Sequence, residues 1–143
     1  MNDHLALSEA EILILESCKT MMDGLSAYLG EGYELVLHSL ENLDHSVIKI
    51  INGHYTGRME GAPITDLALT MLESMNQNQN LEVQPYFNQK NGNTLKSVTI
   101  PVVGERGRII GLLCINFHME LSFASFMAGF SICPAAPEDP QVT

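Results

Sequence analysis

Three polar side chains interrupt segments that are otherwise apolar, where a ligand buried in the fold would find hydrogen-bonding partners. His38 lies at the end of one such segment, Lys96 opens a second, and Asn116 lies within a third that is almost wholly apolar. A polar group buried without a partner costs free energy, so each of these residues needs either a ligand or a partner from the protein. The structural alternatives are a hydrogen-bonded histidine, a solvated lysine and an asparagine that ties a sheet to a loop.

A second set of polar residues lies close to the start of an amphipathic segment. Arg58 lies in a glycine-rich stretch, and Thr65 and Asp66 open the amphipathic segment that follows it. Arg58 and Asp66 carry opposite charges, so they can hold the two ends of a zwitterion, or they can pair with each other. Helix capping and the helix dipole explain Thr65 and Asp66 equally well without a ligand.

The chain lacks the short motifs of several large enzyme classes. It has no G-x-S-x-G, no phosphate-binding G-x-x-x-x-G-K and no H-E-x-x-H. Its histidines are dispersed without metal-ligand spacing, and its cysteines, Cys18, Cys114 and Cys133, form no C-x-x-C pair. Cys18 and Cys114 lie in apolar patterns, which indicates buried thiols rather than nucleophiles. The sequence therefore predicts no catalytic residue, no metal site and no bound cofactor.

The composition indicates one acidic globular domain. The 143 residues carry a net charge of −10 with only seven Lys and Arg residues, and 45% of them are apolar. Because phosphate binding requires clustered cations, this chain should bind neither nucleic acid nor an anionic membrane by itself. It contains neither an apolar run of the roughly 20 residues that span a bilayer nor a signal peptide. We therefore predict a cytoplasmic domain over residues 1–133, with a linker or disordered tail over 134–143.

The hydrophobic pattern places these residues on a sheet and its covering helices. Ser8 and Glu11 form the capping-box pattern of a helix that continues to Gly30, and apolar residues at three- and four-residue spacing predict a second helix that starts at Pro63. The predicted strands are Tyr33–Ser39, Val47–Ile51, Val83–Gln89, Leu95–Val103 and Ile109–Phe117, and a last helix is predicted over Leu121–Phe130.

The turns between these strands imply hairpins, and hairpins imply antiparallel pairing. The resulting fold is of the α+β type within the broad α/β class, a five-stranded antiparallel sheet with helices packed on it and a helix at each end. The almost wholly apolar strand Ile109–Phe117 should be central. Pro85 places the strand Val83–Gln89 nearer an edge, because proline cannot donate to a ladder.

This element order is that of a PAS domain, and five local sequences resemble the YheO-like PAS domains of bacterial transcriptional regulators. They are Glu34–Leu40 (ELVLHSL), Asn52–Arg58 (NGHYTGR), Gly61–Leu69 (GAPITDLAL), Lys96–Ile100 (KSVTI) and Gly111–Asn116 (GLLCIN). The resemblance implies a PAS fold whose sheet cups a ligand cavity beneath its helices. It also implies a sensor that lies N-terminal to a helix-turn-helix. No such module follows before Thr143, so DNA contact is expected only through a C-terminal module that this chain lacks.

Within such a cavity, the placement of charge predicts the ligand. A buried carboxylate needs a cation or several donors, and Lys96, Arg58, His38 and Asn116 are the candidates. Asp66 is the candidate acceptor for an amino group. The expected function is therefore that of a sensor for a small polar, amino-acid-like metabolite. The alternative is a PAS domain that serves only as a dimerisation scaffold, with its cavity filled by its own Leu and Phe side chains.

Surplus apolar surface predicts a homodimer. The first helix carries Ile14, Met21 and Tyr28 outside its main apolar stripe, and the last predicted helix carries three phenylalanines. One small sheet cannot cover all of this surface, and exposed apolar patches usually mark interfaces. A two-fold dimer is the commonest arrangement that buries such a patch.

Overall fold

The structure, a computed structural model, describes residues 5–77, 83–90, 92–121, 127, 128 and 130. Its first element is helix α1 (Glu9–Leu29), and the predicted capping box is confirmed. The Ser8 hydroxyl accepts a hydrogen bond from the backbone N–H of Glu11 (3.2 Å), and the Glu11 carboxylate accepts one from the N–H of Ser8 (3.0 Å). These bonds satisfy backbone donors that the first helical turn leaves unpaired, so they define where α1 begins.

Five antiparallel strands form the sheet, in the order β2-β1-β5-β4-β3. They are β1 (Tyr33–Ser39), β2 (Val47–Ile51), β3 (Tyr86–Lys90), β4 (Asn93–Val103) and β5 (Ile109–His118). The predicted antiparallel sheet is confirmed, together with the central place of the last strand and the edge place of β3. Strand β3 begins at Tyr86 rather than at Val83, because Pro85 has no N–H to donate to the ladder.

The second helix, α2 (Asp66–Gln77), begins at Asp66 rather than at the predicted Pro63. The residues before it have another partner, since Ile64 donates its backbone N–H to the carbonyl of Leu43 in the β1–β2 connection. Of the predicted helix Leu121–Phe130, the structure describes residues 121, 127, 128 and 130, and the last three are helical. The remainder of that helix and the predicted tail 134–143 lie outside the described residues.

Helices α1 and α2 contribute to two separate apolar clusters, one on each face of the sheet. The α1 cluster contains Leu15, Met22, Leu35, Leu37, Val102 and Ile110. The α2 cluster contains Val36, Leu40, Val47, Ala68, Leu72, Ile109, Leu112 and Cys114. Because successive side chains of a strand point to opposite faces, the even-numbered residues of β1 face α2 and the odd-numbered ones face α1.

An ion pair between the buried Glu11 and the partly exposed Arg108 joins α1 to the turn between β4 and β5. The fully buried Glu11 carboxylate accepts hydrogen bonds from the Arg108 guanidinium (Nε at 2.8 Å) and from the backbone N–H of Glu105 (3.0 Å). The hydrogen bonds from Arg108 lower the pKa of Glu11 from its ordinary 4.5 to about 2. From the sequence, Glu11 had only a capping role. The fold adds a tertiary role, since the same carboxylate attaches α1 to the far end of the sheet.

Candidate functional site

A cavity lies between the sheet and α2, on the face of the even-numbered residues of β1. Its volume is about 60 Å³, well above the roughly 10–15 Å³ that a single water molecule requires. Most of its lining side chains can form hydrogen bonds; they include Glu34, His38, Thr56, Arg58, Thr65, Tyr86, Lys90 and Asn116. Among the residues that the structure describes, the lining of this cavity is therefore mainly polar.

His38 is a buried member of the cavity wall, with 2% of its surface exposed. Its Nδ1 lies 2.8 Å from the hydroxyl of Ser46, so the structural alternative of a hydrogen-bonded histidine is realised. Burial, assisted by the nearby charge of Arg58, lowers the pKa of His38 to about 4. At neutral pH the imidazole is consequently uncharged, and it can offer a neutral hydrogen-bonding atom to a ligand.

Asn116 lies at the centre of a hydrogen-bonded chain that crosses three strands. Ser97 on β4 donates to its Oδ1 (2.7 Å), and its Nδ2 donates to the carboxylate of Glu34 on β1 (2.9 Å). The other carboxylate oxygen of Glu34 accepts a hydrogen bond from Thr56, which lies in the loop before α2. The chain thus connects the sheet to the loop, as the structural reading of Asn116 predicted, and it does so on the cavity wall.

Arg58 brings a cation to the cavity from the loop before α2. Its Nη2 donates to the carbonyl of Pro63 (2.6 Å), and its charge lies close enough to affect the pKa of both His38 and Cys114. Thr65 also lines the cavity, and its hydroxyl accepts a hydrogen bond from the backbone N–H of Ala68 (3.1 Å), so it caps α2.

Two of the sequence-predicted ligand residues lie elsewhere. Asp66 is exposed at the start of α2 and is absent from the cavity lining. Lys96 is exposed and lies on the opposite face, because Ser97 pairs with Asn116 in the ladder while Lys96 pairs with Phe117. There it borders an open groove of about 400 Å³ that also contains Val98 and Ile115. This corrects the placement of Lys96 at the cavity mouth, and Asp66 does not line this cavity.

With this geometry in view, residues 8–131 match the YheO-like PAS domain family. The chain belongs to this family. A Haemophilus influenzae protein is 45% identical over 133 residues, and the Escherichia coli K12 protein YheO is 40% identical over 141 residues. The matches cover 92% and 98% of this chain but only 59% and 57% of those two proteins. The chain therefore spans less than two thirds of the length of these relatives.

The chain is similar to solved PAS domains. The PAS domain of the fruit-fly ELK potassium channel aligns with a TM-score of 0.48 at 11% identity, over 73% of this chain and 96% of that one. A PAS domain from Colwellia psychrerythraea aligns with a TM-score of 0.45 at 14% identity, over 70% and 97% of the two chains.

Cys114 contributes a thiol to the cavity of this PAS domain. It lies 3.7 Å from the hydroxyl of Thr99, which in turn lies 2.8 Å from the hydroxyl of Tyr86. Burial raises the pKa of Cys114 to about 11. The thiol therefore stays protonated at neutral pH and is a poor nucleophile.

Glu34 is a buried cavity residue that was not among the candidates predicted from the sequence. It was taken as part of the strand Tyr33–Ser39, where its apolar neighbours drew attention instead. A signal was present, because Glu34 and His38 are four residues apart on one strand and must share a face. The polar residues opposite them on β4 and β5 could not be found in this way, since only the pairing register identifies them.

Over the parts of the chain that the structure describes, no three His, Cys, Asp or Glu residues are grouped so that they could hold a metal ion. Among the same residues, no helix is both long enough and apolar enough to cross a membrane.

Proposed function

We propose that this PAS domain is the sensor half of a bacterial transcriptional regulator, that it works in the cytoplasm and that it catalyses no reaction. Its cavity takes a small polar, amino-acid-like metabolite, and occupancy is reported to a C-terminal helix-turn-helix. The observation that carries the proposal is the polar cavity under α2, walled by His38, Arg58 and Asn116. The greater length of the two relatives supports an additional module in this family.

In this proposal Arg58 holds the carboxylate of the metabolite. A guanidinium group can bind a carboxylate through two parallel hydrogen bonds. The Nη2 of Arg58 already donates to the carbonyl of Pro63, and this bond fixes the orientation of the guanidinium plane. Neutral His38 adds a hydrogen-bonding atom without a competing charge. The ligand shifts the packing of the sheet against the terminal helices only by its differential affinity for two states, so we expect a coupling of about 1–3 kcal/mol.

A thermal-shift screen of small carboxylates, including amino acids, tests this proposal directly. A compound that binds only the folded chain raises its melting temperature, with about 2.7 kcal/mol of stabilisation at 100 times Kd. We expect Arg58→Ala to weaken binding of the best compound about 10- to 100-fold, because a hydrogen bond to a charged group contributes about 1.5–3 kcal/mol.

The matched control is Arg106→Ala, which removes an exposed arginine from the turn between β4 and β5. This variant should bind the same compound like the parent. If no small carboxylate raises the melting temperature, or if Arg58→Ala binds as well as Arg106→Ala, the metabolite site is not at Arg58.

We also propose that the domain works as a homodimer, which suits a helix-turn-helix that reads a two-fold operator. On α1, Met21 and Tyr28 are 64% and 87% exposed as expected, whereas Ile14 packs against the α1 cluster. Leu13 is 66% exposed, so this helix still presents apolar surface away from its own sheet. Sedimentation at micromolar concentration should show a dimer for the parent and a monomer for the double variant Met21→Glu, Tyr28→Glu. The control variant Met59→Glu changes a comparably exposed methionine in the loop before α2, and it should remain a dimer. A monomeric parent would overturn the dimer.

A further inference from the structure

Among the residues that the structure describes, two glutamates are fully buried, and one of these two forms an ion pair with a cation. Both Glu11 and Glu34 have none of their surface exposed. Glu11 accepts hydrogen bonds from the guanidinium of Arg108. The two oxygens of Glu34 accept hydrogen bonds from the neutral groups of Asn116 and Thr56. In the part of the chain that the structure describes, no Lys, Arg or His forms an ion pair with Glu34.

This difference matters because a carboxylate loses a large hydration free energy when it is buried. An opposite charge together with hydrogen bonds normally offsets that loss, as Arg108 does for Glu11. Arg58 and Lys90 line the same cavity as Glu34, yet neither pairs with it. Arg58 is instead held by the carbonyl of Pro63. The position next to Glu34 is therefore short of one positive charge, and it opens onto the cavity.

We infer that Glu34 is the specificity-determining residue of the cavity and that it selects a ligand with a protonated amine. This inference rests on the proposed metabolite-sensing function. The ammonium group supplies the counter-charge that the protein does not supply, and Arg58 takes the carboxylate. Glu34 thereby assumes the role for which the sequence favoured Asp66, which is exposed outside the cavity. The ligand class is a small zwitterion, and the site discriminates against the corresponding hydroxy acid.

The test compares pairs of compounds that differ only at the amine. The chain is screened by thermal shift with the common amino acids in both enantiomers, and each compound that stabilises it is compared with the 2-hydroxy acid of the same side chain. Titration calorimetry then gives both affinities. We expect the amino acid to bind at least about 100-fold more tightly, since a buried polar group left without its partner is heavily penalised.

Glu34→Gln removes the charge and keeps the size of the side chain. We expect it to lose at least about 100-fold in affinity for the amino acid and to lose the preference over the hydroxy acid. Glu31→Gln makes the same change at an exposed position, and it should keep both the affinity for the amino acid and the preference over the hydroxy acid. Thr56→Val removes one hydrogen bond to Glu34 but leaves its charge, so it should retain the preference for the amine.

The outcomes separate the two proposals. If neither amino acids nor hydroxy acids stabilise the chain, the metabolite-sensing function is overturned and this inference falls with it. If the hydroxy acid binds as tightly as the amino acid, or if a folded Glu34→Gln keeps the preference, only the role of Glu34 is overturned. Far-UV circular dichroism and the melting temperature without ligand establish whether Glu34→Gln folds. If Glu34→Gln does not fold, the ratio of the affinities for the amino acid and the hydroxy acid is measured in the parent and in Thr56→Val. Equal affinities would then overturn the role of Glu34.

Discussion

Replacing Leu112 with alanine is expected to lower the free energy of unfolding by about 2–5 kcal/mol, the usual range for a buried leucine truncated in this way. Leu112 is fully buried on β5, the central strand, where it pairs with His38 of β1 and Pro101 of β4. Its neighbours belong to strands held on both sides, so they cannot collapse into the space left by the missing atoms. Urea denaturation followed by circular dichroism measures the loss.

Leu67→Ala provides the matched control for this experiment. It makes the same chemical change on the same side of the sheet, but Leu67 lies on α2 with 39% of its surface exposed. Less apolar surface returns to water, and the site is open to solvent, so its loss should be less than half that of Leu112→Ala. A loss below about 1 kcal/mol for Leu112→Ala, a size typical of ordinary point mutants, would show that β5 is not the centre of the core.

The second large effect concerns pH: we expect His38 to lower the free energy of unfolding in mild acid. Its pKa is about 4 in the folded chain and 6.5 when unperturbed. Between these values the unfolded state binds a proton that the folded state does not, so stability falls as the pH falls from about 6.5 to about 4. The gap between the two pKa values corresponds to about 3 kcal/mol over that range. Urea unfolding at a series of pH values between 4 and 7.5 measures it.

His38→Asn isolates this contribution. Asparagine cannot titrate there, and its side chain can still reach the hydroxyl of Ser46, the partner of the histidine Nδ1. The variant should lose most of the dependence of stability on pH between 4 and 6.5. Burial also lowers the pKa of His118, which contributes in the same direction, so the relevant quantity is the difference between parent and variant. An unchanged pH dependence in His38→Asn would rule out this role.

The bounds of a helix or strand were predictable where they depend on residues that are close in sequence. The start of α1 follows from Ser8 and Glu11, three residues apart, and the bounds of β1 and β2 follow from β-branched and apolar runs between turn residues. The start of α2 was not predictable in this way. The bond from Ile64 to Leu43 joins residues far apart in sequence and keeps the preceding residues out of the helix.

The sequence by itself determined the family, the five-stranded antiparallel sheet with β5 at its centre, and the presence of polar residues within otherwise apolar strands. Local propensities and alternation carry that information. Only the tertiary structure decided which of these residues meet: Glu34 joins His38, Arg58 and Asn116 around one cavity, whereas Lys96 lies on the opposite face. The physical reason is that a strand's side chains alternate with a period of two, so the face of each residue depends on a pairing register that long-range contacts establish.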